Sequence, residues 1–303
     1  MANQEHLDIL VKGVGGLNQW RGKNSDRRLD FRGADLRGVN LNGADLRGAE
    51  LSGAHLGPTM SNVNLSGANL SGASLFGAIL HSADLRDVRL NGSTLNNADL
   101  TEANLSFANL SGANALMATF LKTSLVGARL RHTQLQWADL TRADLRMADF
   151  SGADLGGAGL SSALLGDTTF GDLDLSCIQG LESVKHSGPS TIGLDTIYRS
   201  RGQISEVFLR GAGVPENFIT YMRSLVGQPL EFYSCFISYS SHDQDFAERL
   251  HADLQAKHVR CWFAPEDLKI GDRFLERIEE SIRVFDRVLI IMSEASCPFG
   301  KAA

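Results

Sequence analysis

The chain has 303 residues, 43% of them hydrophobic and 21% charged, with 31 Gly, 6 Pro and an aromatic share of only 7%. That is room for about two domains and enough apolar material for a core, built from small aliphatic side chains rather than rings. The net charge of −6 is spread as +1 over residues 1–30, −4 over 31–175 and −3 over 176–303, so no segment has the basic field that attracts nucleic acid or an anionic membrane.

The N-terminus, MANQEHLDIL, lacks the basic-then-apolar pattern of an export signal. The longest clean apolar run, residues 288–292, falls far short of the roughly 20 residues that cross a bilayer. Cys177, Cys235, Cys261 and Cys297 show no C-x-x-C spacing, and the eight His are dispersed without an H-E-x-x-H or a Cys/His cluster. These features predict a reduced, cytoplasmic protein with no metal site, no nucleic-acid partner and no membrane partner.

In residues 5–21, Leu7, Leu10, Val14 and Leu17 fall at helical spacing and predict an amphipathic cap over residues 1–30. Gly13, Gly15 and Gly16 weaken that helix. The run from Lys12 to Gly16 has the look of a glycine-rich phosphate loop, but it follows no strand and lacks G-K-[ST].

From Phe31 the chain reads FRGADLRGVNLNGADLRGAELSGAHL, with Phe or Leu at every fifth residue. The register slips by one at Gly57-Pro58-Thr59-Met60, resumes at Leu65 and holds to Leu175, about 30 units in all. Only Met60 and Ala115 replace Leu or Phe at the central place, and two residues earlier stands Ala, or otherwise mostly Val, Thr or Ser. A period of five matches neither a 3.6-residue helix nor a long strand. It matches a coil that turns a corner after each short extended stretch. The large and the small side chain then share the inner face, and Asp, Asn or Arg between them faces out. Met60 and Ala115 are therefore expected to point inward, and Pro58 is expected to mark a bulge or bent corner.

The motif Ala34-Asp35-Leu36-Arg37-Gly38 and its many near copies resemble the pentapeptide-repeat family over residues 31–175. The resemblance implies a β-solenoid, a right-handed quadrilateral β-helix with about four units per coil, roughly seven coils and a length near 35 Å. Some members of that family mimic duplex DNA and occupy topoisomerases, which needs a strongly acidic surface. With 14 acidic against 10 basic residues in 31–175, a scaffold or interaction role fits better than DNA mimicry.

Past Leu175 the period ends, and residues 176–230 read as a connecting module with a short helix around 216–226. From 231 onward the pattern becomes α/β. Residues 232–239 (FYSCFISY) form an apolar strand, and Ser241 to Gln244 open a helix with Phe246, Leu250 and Leu254 on one face. Residues 259–263 (VRCWF) form a second strand. A polar loop, a helix with Phe274, Ile278, Ile282 and Phe285, and a third strand at 287–293 follow. Strands alternating with helices predict a parallel sheet.

The segment Cys235-Phe236-Ile237-Ser238-Tyr239-Ser240, with Asp243 soon after, and the segment from Cys261 to Gly271 resemble the first strand and BB loop of a bacterial-type TIR domain. The resemblance implies a flavodoxin-like fold of strand order 2-1-3-4-5, of which residues 231–303 supply about half. It also implies association with other TIR domains, or self-association, through the BB loop. Many TIR domains cleave NAD with a catalytic Glu on a helix beyond the fourth-strand region. Here the chain runs Ser293-Glu294-Ala295-Ser296-Cys297-Pro298-Phe299-Gly300-Lys301-Ala302-Ala303, and that Glu is expected beyond the chain end. No catalytic residue is assigned, no cofactor is expected, and NAD enters only as the substrate of an intact domain. The positions matching the family's nucleotide pocket are Phe236, Ser238, Tyr239, Ser240, Trp262, Glu266 and Asp267, with simple core packing and a solvated loop as the competing reading. The alternatives left open are a signalling or interaction protein and a truncated NAD-hydrolysing effector.

Overall fold

The computed structural model describes residues 2–226, 235–238, 244–256, 261–263 and 287–290. It divides into two compact units, Met1–Val226 and Gly227–Ala303.

The first unit opens with α1 (Gln4–Val11) and α2 (Gly13–Lys23). The two are separate helices because Gly13, at φ +80°, takes a left-handed conformation that ends α1 and redirects the chain. The Asn3 side chain caps α1 by accepting from the Glu5 N–H. Ile9, Leu10 and Leu17 are buried, and Leu7 and Val14 pack against the same core.

The repeat region is a β-solenoid whose strands have shrunk to single bridges. Named strands survive only as two-residue pieces: β1 (Asp35–Leu36), β2 (His55–Leu56), β3 (Leu164–Leu165) and β4 (Thr169–Phe170). After the slip each bridge joins a residue to the one 20 positions on, as in Asn64↔Asp84, Asn69↔Arg89, Ser74↔Thr94 and Ile79↔Asp99. One coil is therefore four pentapeptides, and every bridge is parallel.

The pentapeptide explains the coil. Leu65 and Val63 are buried while Asn64 between them is half-exposed, the alternation of an extended stretch. The turn that follows is closed by the Ala68 N–H donating to the Leu65 carbonyl at 2.9 Å, with a left-handed residue at its third position. Three further N–H groups per unit bond across coils, for example Leu65 to the Asp84 carbonyl at 2.7 Å and Gly67 to Arg86 at 2.8 Å. Met60 and Ala115 are fully buried, as the pattern requires. Where the small inner residue is Thr, its hydroxyl bonds a carbonyl of the previous coil: Thr123 to Leu100, Thr133 to Leu110 and Thr168 to Leu145.

The slip shortens one coil to 19 residues: Asp45↔Asn64, Glu50↔Asn69 and His55↔Ser74. Leu56 and Met60 both stay buried, so the missing residue is taken from the corner and not from the core.

Beyond the pattern the pairing continues irregularly. β5 (Lys185–His186) pairs with β3 at an offset of 21 residues, and β6 (Thr191–Ile192) with β4 at 22. Then α3 (Leu194–Arg199), α4 (Glu206–Gly211) and α5 (Glu216–Val226) close the unit. Phe150, Phe170 and Phe208 form an aromatic column, the first two stacked at 5.6 Å and the third edge-on at 5.7 Å.

In the second unit, β7 (Cys235–Ser238), α6 (Gln244–Ala256), β8 (Cys261–Phe263) and β9 (Arg287–Ile290) are described. The three strands make one parallel sheet in the order β8-β7-β9. On α6 the buried residues are Ala247 and His251, with Leu250 and Leu254 half-buried. Phe246, expected on the apolar face, is 54% exposed, because the buried stripe starts one residue later.

Candidate functional site

Two regions carry groups with chemistry. The first is the sheet of the second unit. Its register sets Phe236 beside Trp262 on one neighbour and beside Val288 on the other, and Ser238 beside Ile290. Ser238 ends β7, the central strand, whose neighbours β8 and β9 lie on opposite sides. In a parallel sheet of this order the carboxyl end of the central strand is a topological switch point, where ligands of open α/β sheets bind. Three of the seven sequence-expected pocket residues, Phe236, Ser238 and Trp262, thus fall on adjoining strands. Tyr239, Ser240, Glu266 and Asp267, together with the expected BB loop and the expected helix with Phe274 and Ile278, lie outside the described residues. The register also sets Cys235 beside Cys261, a neighbour relation that their linear separation does not announce.

The second region is the outer surface of the solenoid. Five times an Asp is gripped by the Arg two residues on, at Asp30–Arg32, Asp35–Arg37, Asp45–Arg47, Asp84–Arg86 and Asp144–Arg146. Each is a two-pronged pair: in the first, Arg32 Nε and Nη2 donate to the two Asp30 oxygens at 2.9 and 2.7 Å. The Arg32 guanidinium holds the Asp30 carboxyl down to about 2, and Asp35, Asp45 and Asp84 are lowered by their own arginines. Other acids pair across coils, His81 with Asp99, Lys122 with Glu102 and Arg131 with Asp149. Much of the acidic charge of the repeats is matched locally.

Among the described residues, the first unit has a groove and a smaller concavity. A groove of 740 Å³ between β6, α3 and α5 is lined by Ile192, Leu194, Ile197, Val214 and Phe218 and has no titratable side chain in its wall. A smaller one of 300 Å³ holds Asp154, Asp172, Asp174, Cys177 and Arg199, of which Arg199 and Asp172 form an ion pair at 2.6 Å. Among the described residues no group of His, Cys, Asp or Glu could hold a metal ion, and no helix is long and apolar enough to cross a membrane.

The comparisons with known proteins match two separate parts of the chain. Residues 27–57, 59–92, 78–114 and 120–157 match pentapeptide repeats, in eight copies, and residues 235–302 match a TIR domain. The chain is a pentapeptide-repeat protein that carries a TIR domain. Among solved structures it is similar to a pentapeptide-repeat protein from the thylakoid lumen of Arabidopsis thaliana, at 31% identity over 38% of this chain and 68% of that one, with a TM-score of 0.20. It is also similar to QnrB1, a plasmid-mediated fluoroquinolone resistance protein, at 22% identity over 53% of this chain and 89% of that one, with a TM-score of 0.30. A third is the pentapeptide-repeat protein Rfr23 from the cyanobacterium Cyanothece 51142, at 25% identity over 45% and 95%, with a TM-score of 0.25. No curated protein matches the chain.

Proposed function

We propose that this pentapeptide-repeat protein is a signalling protein that acts by association. The solenoid is its scaffold, and the TIR domain meets other TIR domains, or a second copy, through the BB loop at 264–271. The observation that carries the reading is the parallel β8-β7-β9 sheet in the segment that matches a TIR domain, in the same chain as the repeats. The finer fold belongs to the same reading. A right-handed, four-sided β-helix accounts for a turn after every fifth residue and a 20-residue bridge offset, and a flavodoxin-like arrangement accounts for the 2-1-3 strand order. The work is placed in the cytoplasm, with neither nucleic acid nor membrane as partner.

A second reading, NAD hydrolysis, is favoured by Ser238 at the switch point with Phe236 and Trp262 on adjoining strands. The glycosidic bond then needs a carboxylate to meet the positive charge that develops on the ribose. Nicotinamide release from NAD, measured with the purified full chain at high concentration, separates the two. No release above the blank is expected; release that survives rigorous purification overturns the association-only reading. Topoisomerase inhibition by DNA mimicry is the weakest reading, because the Asp–Arg clasps cancel the rows of negative charge that mimicry requires.

A further inference from the structure

The outward residues of the solenoid fall into four rows, one per pentapeptide of the coil, and charge is distributed unevenly among them. One row carries Asp84 and Asp144, the next Arg89, Arg129 and Asp149, and another Asp99 and Asp139. The remaining row runs His55, Ser74, Thr94, Asn114, Gln134 and Asp154, so its four middle coils carry no ionisable group. The turns that lead out of this row are Phe76-Gly77, Asn96-Asn97, Leu116-Met117 and Gln136-Trp137, again without a charge.

These turns carry much of the exposed apolar surface of the repeats. Phe76 is 62% exposed, Met117 56% and Trp137 61%, and Leu116 is half-buried. Met117 and Trp137 lie 20 residues apart, at the same turn position in successive coils. Both hold a left-handed backbone, φ +57° and +59°, that Asn or Gly would adopt with less strain. Trp137 also lies against the next coil: a Cβ added to Gly157 would fall 2.5 Å from its ring. The ring is thereby braced along the solenoid with most of its surface open to solvent.

We infer that this uncharged side, edged by Phe76, Leu116, Met117 and Trp137, is a pairing surface for a second copy of the chain. The choice of occupant follows from charge. Two copies stacked about a two-fold axis across the four middle coils bring the uncharged part of this row against itself, so no like charges meet. The same stacking on the row of Asp84 and Asp144, or on that of Asp99 and Asp139, sets Asp against Asp. Four coils at about 4.8 Å each give a patch some 20 Å tall. That is small beside the roughly 800 Å² per partner of a standard interface, so the pairing is weak and reversible, in the micromolar range or above. It is independent of TIR association and does not need the BB loop.

The test is sedimentation velocity of the full chain over a wide concentration range, repeated in a chain whose BB loop is altered by Ile270→Asp. In both backgrounds Met117→Asn with Trp137→Asn is expected to weaken association at least tenfold, while added salt leaves it unchanged. Asn suits the left-handed backbone, so an unaltered circular dichroism spectrum and melting temperature are expected for the double variant. Phe107→Asn is the control. That residue is equally exposed and equally left-handed, but its turn column is flanked by Arg86, Asp87 and Arg146, and its loss is expected to change nothing. An Ile270→Asp chain that stays monomeric at the highest concentration overturns the pairing, as does a Met117/Trp137 double variant that associates like its parent. Association abolished by Ile270→Asp alone also overturns it, and leaves the TIR reading standing.

Discussion

At the scale of single residues the repeat tolerates more than its consensus suggests, and less at one place. Left-handed backbone recurs at nearly every turn, yet Phe107, Lys122, His132, Arg142 and Met147 occupy it as well as Gly. Each such residue costs about 1 kcal/mol or more, and the turn holds because its hydrogen bond and its cross-coil bonds over-determine it. Gly57 is different, because its backbone is unremarkable and its space is not. A Cβ there would stand 2.3 Å from the Arg37 carbonyl oxygen, where the shortened corner brings two coils together. Gly57→Ala is therefore expected to destabilise the first unit by about 1–3 kcal/mol, the usual cost of overpacking. Thermal or denaturant unfolding monitored by circular dichroism reads the change, and an unchanged midpoint would show that the corner opens freely. The slip was visible in the sequence as a spacing of four, in place of five, from Leu56 to Met60. The contact that makes Gly57 obligatory was not, since it joins residues 20 apart.

At the scale of elements, the ends of the solenoid decide whether it stands alone. The first and last coils have backbone groups with no next coil to pair with, a liability unless covered. At the N-terminal end His6 Nδ1 accepts from the Asp30 N–H, the Asn18 oxygen accepts from the Asp45 N–H, and the buried Arg21 donates to the Arg27 and Arg47 carbonyls. At the far end the Thr196 hydroxyl donates to the Phe170 carbonyl, and Ser200 accepts from the Leu175 N–H. The apolar spacing of residues 5–21 announced a cap, but these polar hooks have no period and could not be read in advance. His186 is the weak point of the far cap. Its ring packs on Phe208 at 5.6 Å and crowds Gly211, and neither ring nitrogen has a hydrogen-bond partner. Burial lowers its pKa from the usual imidazole value of 6.5. The charged groups of the elements around it are Lys185 on its own strand, Glu182 in the preceding turn, and Glu206 and Arg210 on α4. Arg210 is itself taken up by Glu206 and Glu216. A histidine depressed in the folded state leaves stability intact above its ordinary pKa. As the pH falls through that value the stability is lost, because the unfolded chain binds the proton first. The melting temperature of the full chain is thus expected to fall between pH 7.5 and pH 5, and to fall much less in His186→Leu. An equal fall in both chains would assign the acid sensitivity elsewhere.

At the scale of the whole molecule the two units differ in how openly their sequences state their structure. A five-residue period repeated about 30 times fixes the interior of the solenoid residue by residue, because each unit solves the same packing problem. The TIR segment is an ordinary α/β stretch in which several registers satisfy the same apolar runs. The neighbour relations that matter, Phe236 beside Trp262 and Ser238 at the end of the central strand, come only from pairing. The regularity of the solenoid has a measurable consequence. A protease needs a stretch of backbone free of its pairings, and opening one pentapeptide here breaks bonds to the coil above and the coil below at once. Leu65, for instance, donates to Asp84, Asp84 donates to Val63, and the row continues from Asp84 through Asn104 to Ser124. Local opening inside residues 60–170 therefore costs a large share of the global unfolding free energy, and cleavage there must wait for it. Limited proteolysis of the full chain with a protease of broad specificity, with fragments identified by mass, is expected to leave 60–170 intact as a resistant core through the first cuts. An early cut between Met60 and Phe170 would mean that coils open singly, and that the cross-coil ladder does not bind the solenoid into one cooperative unit.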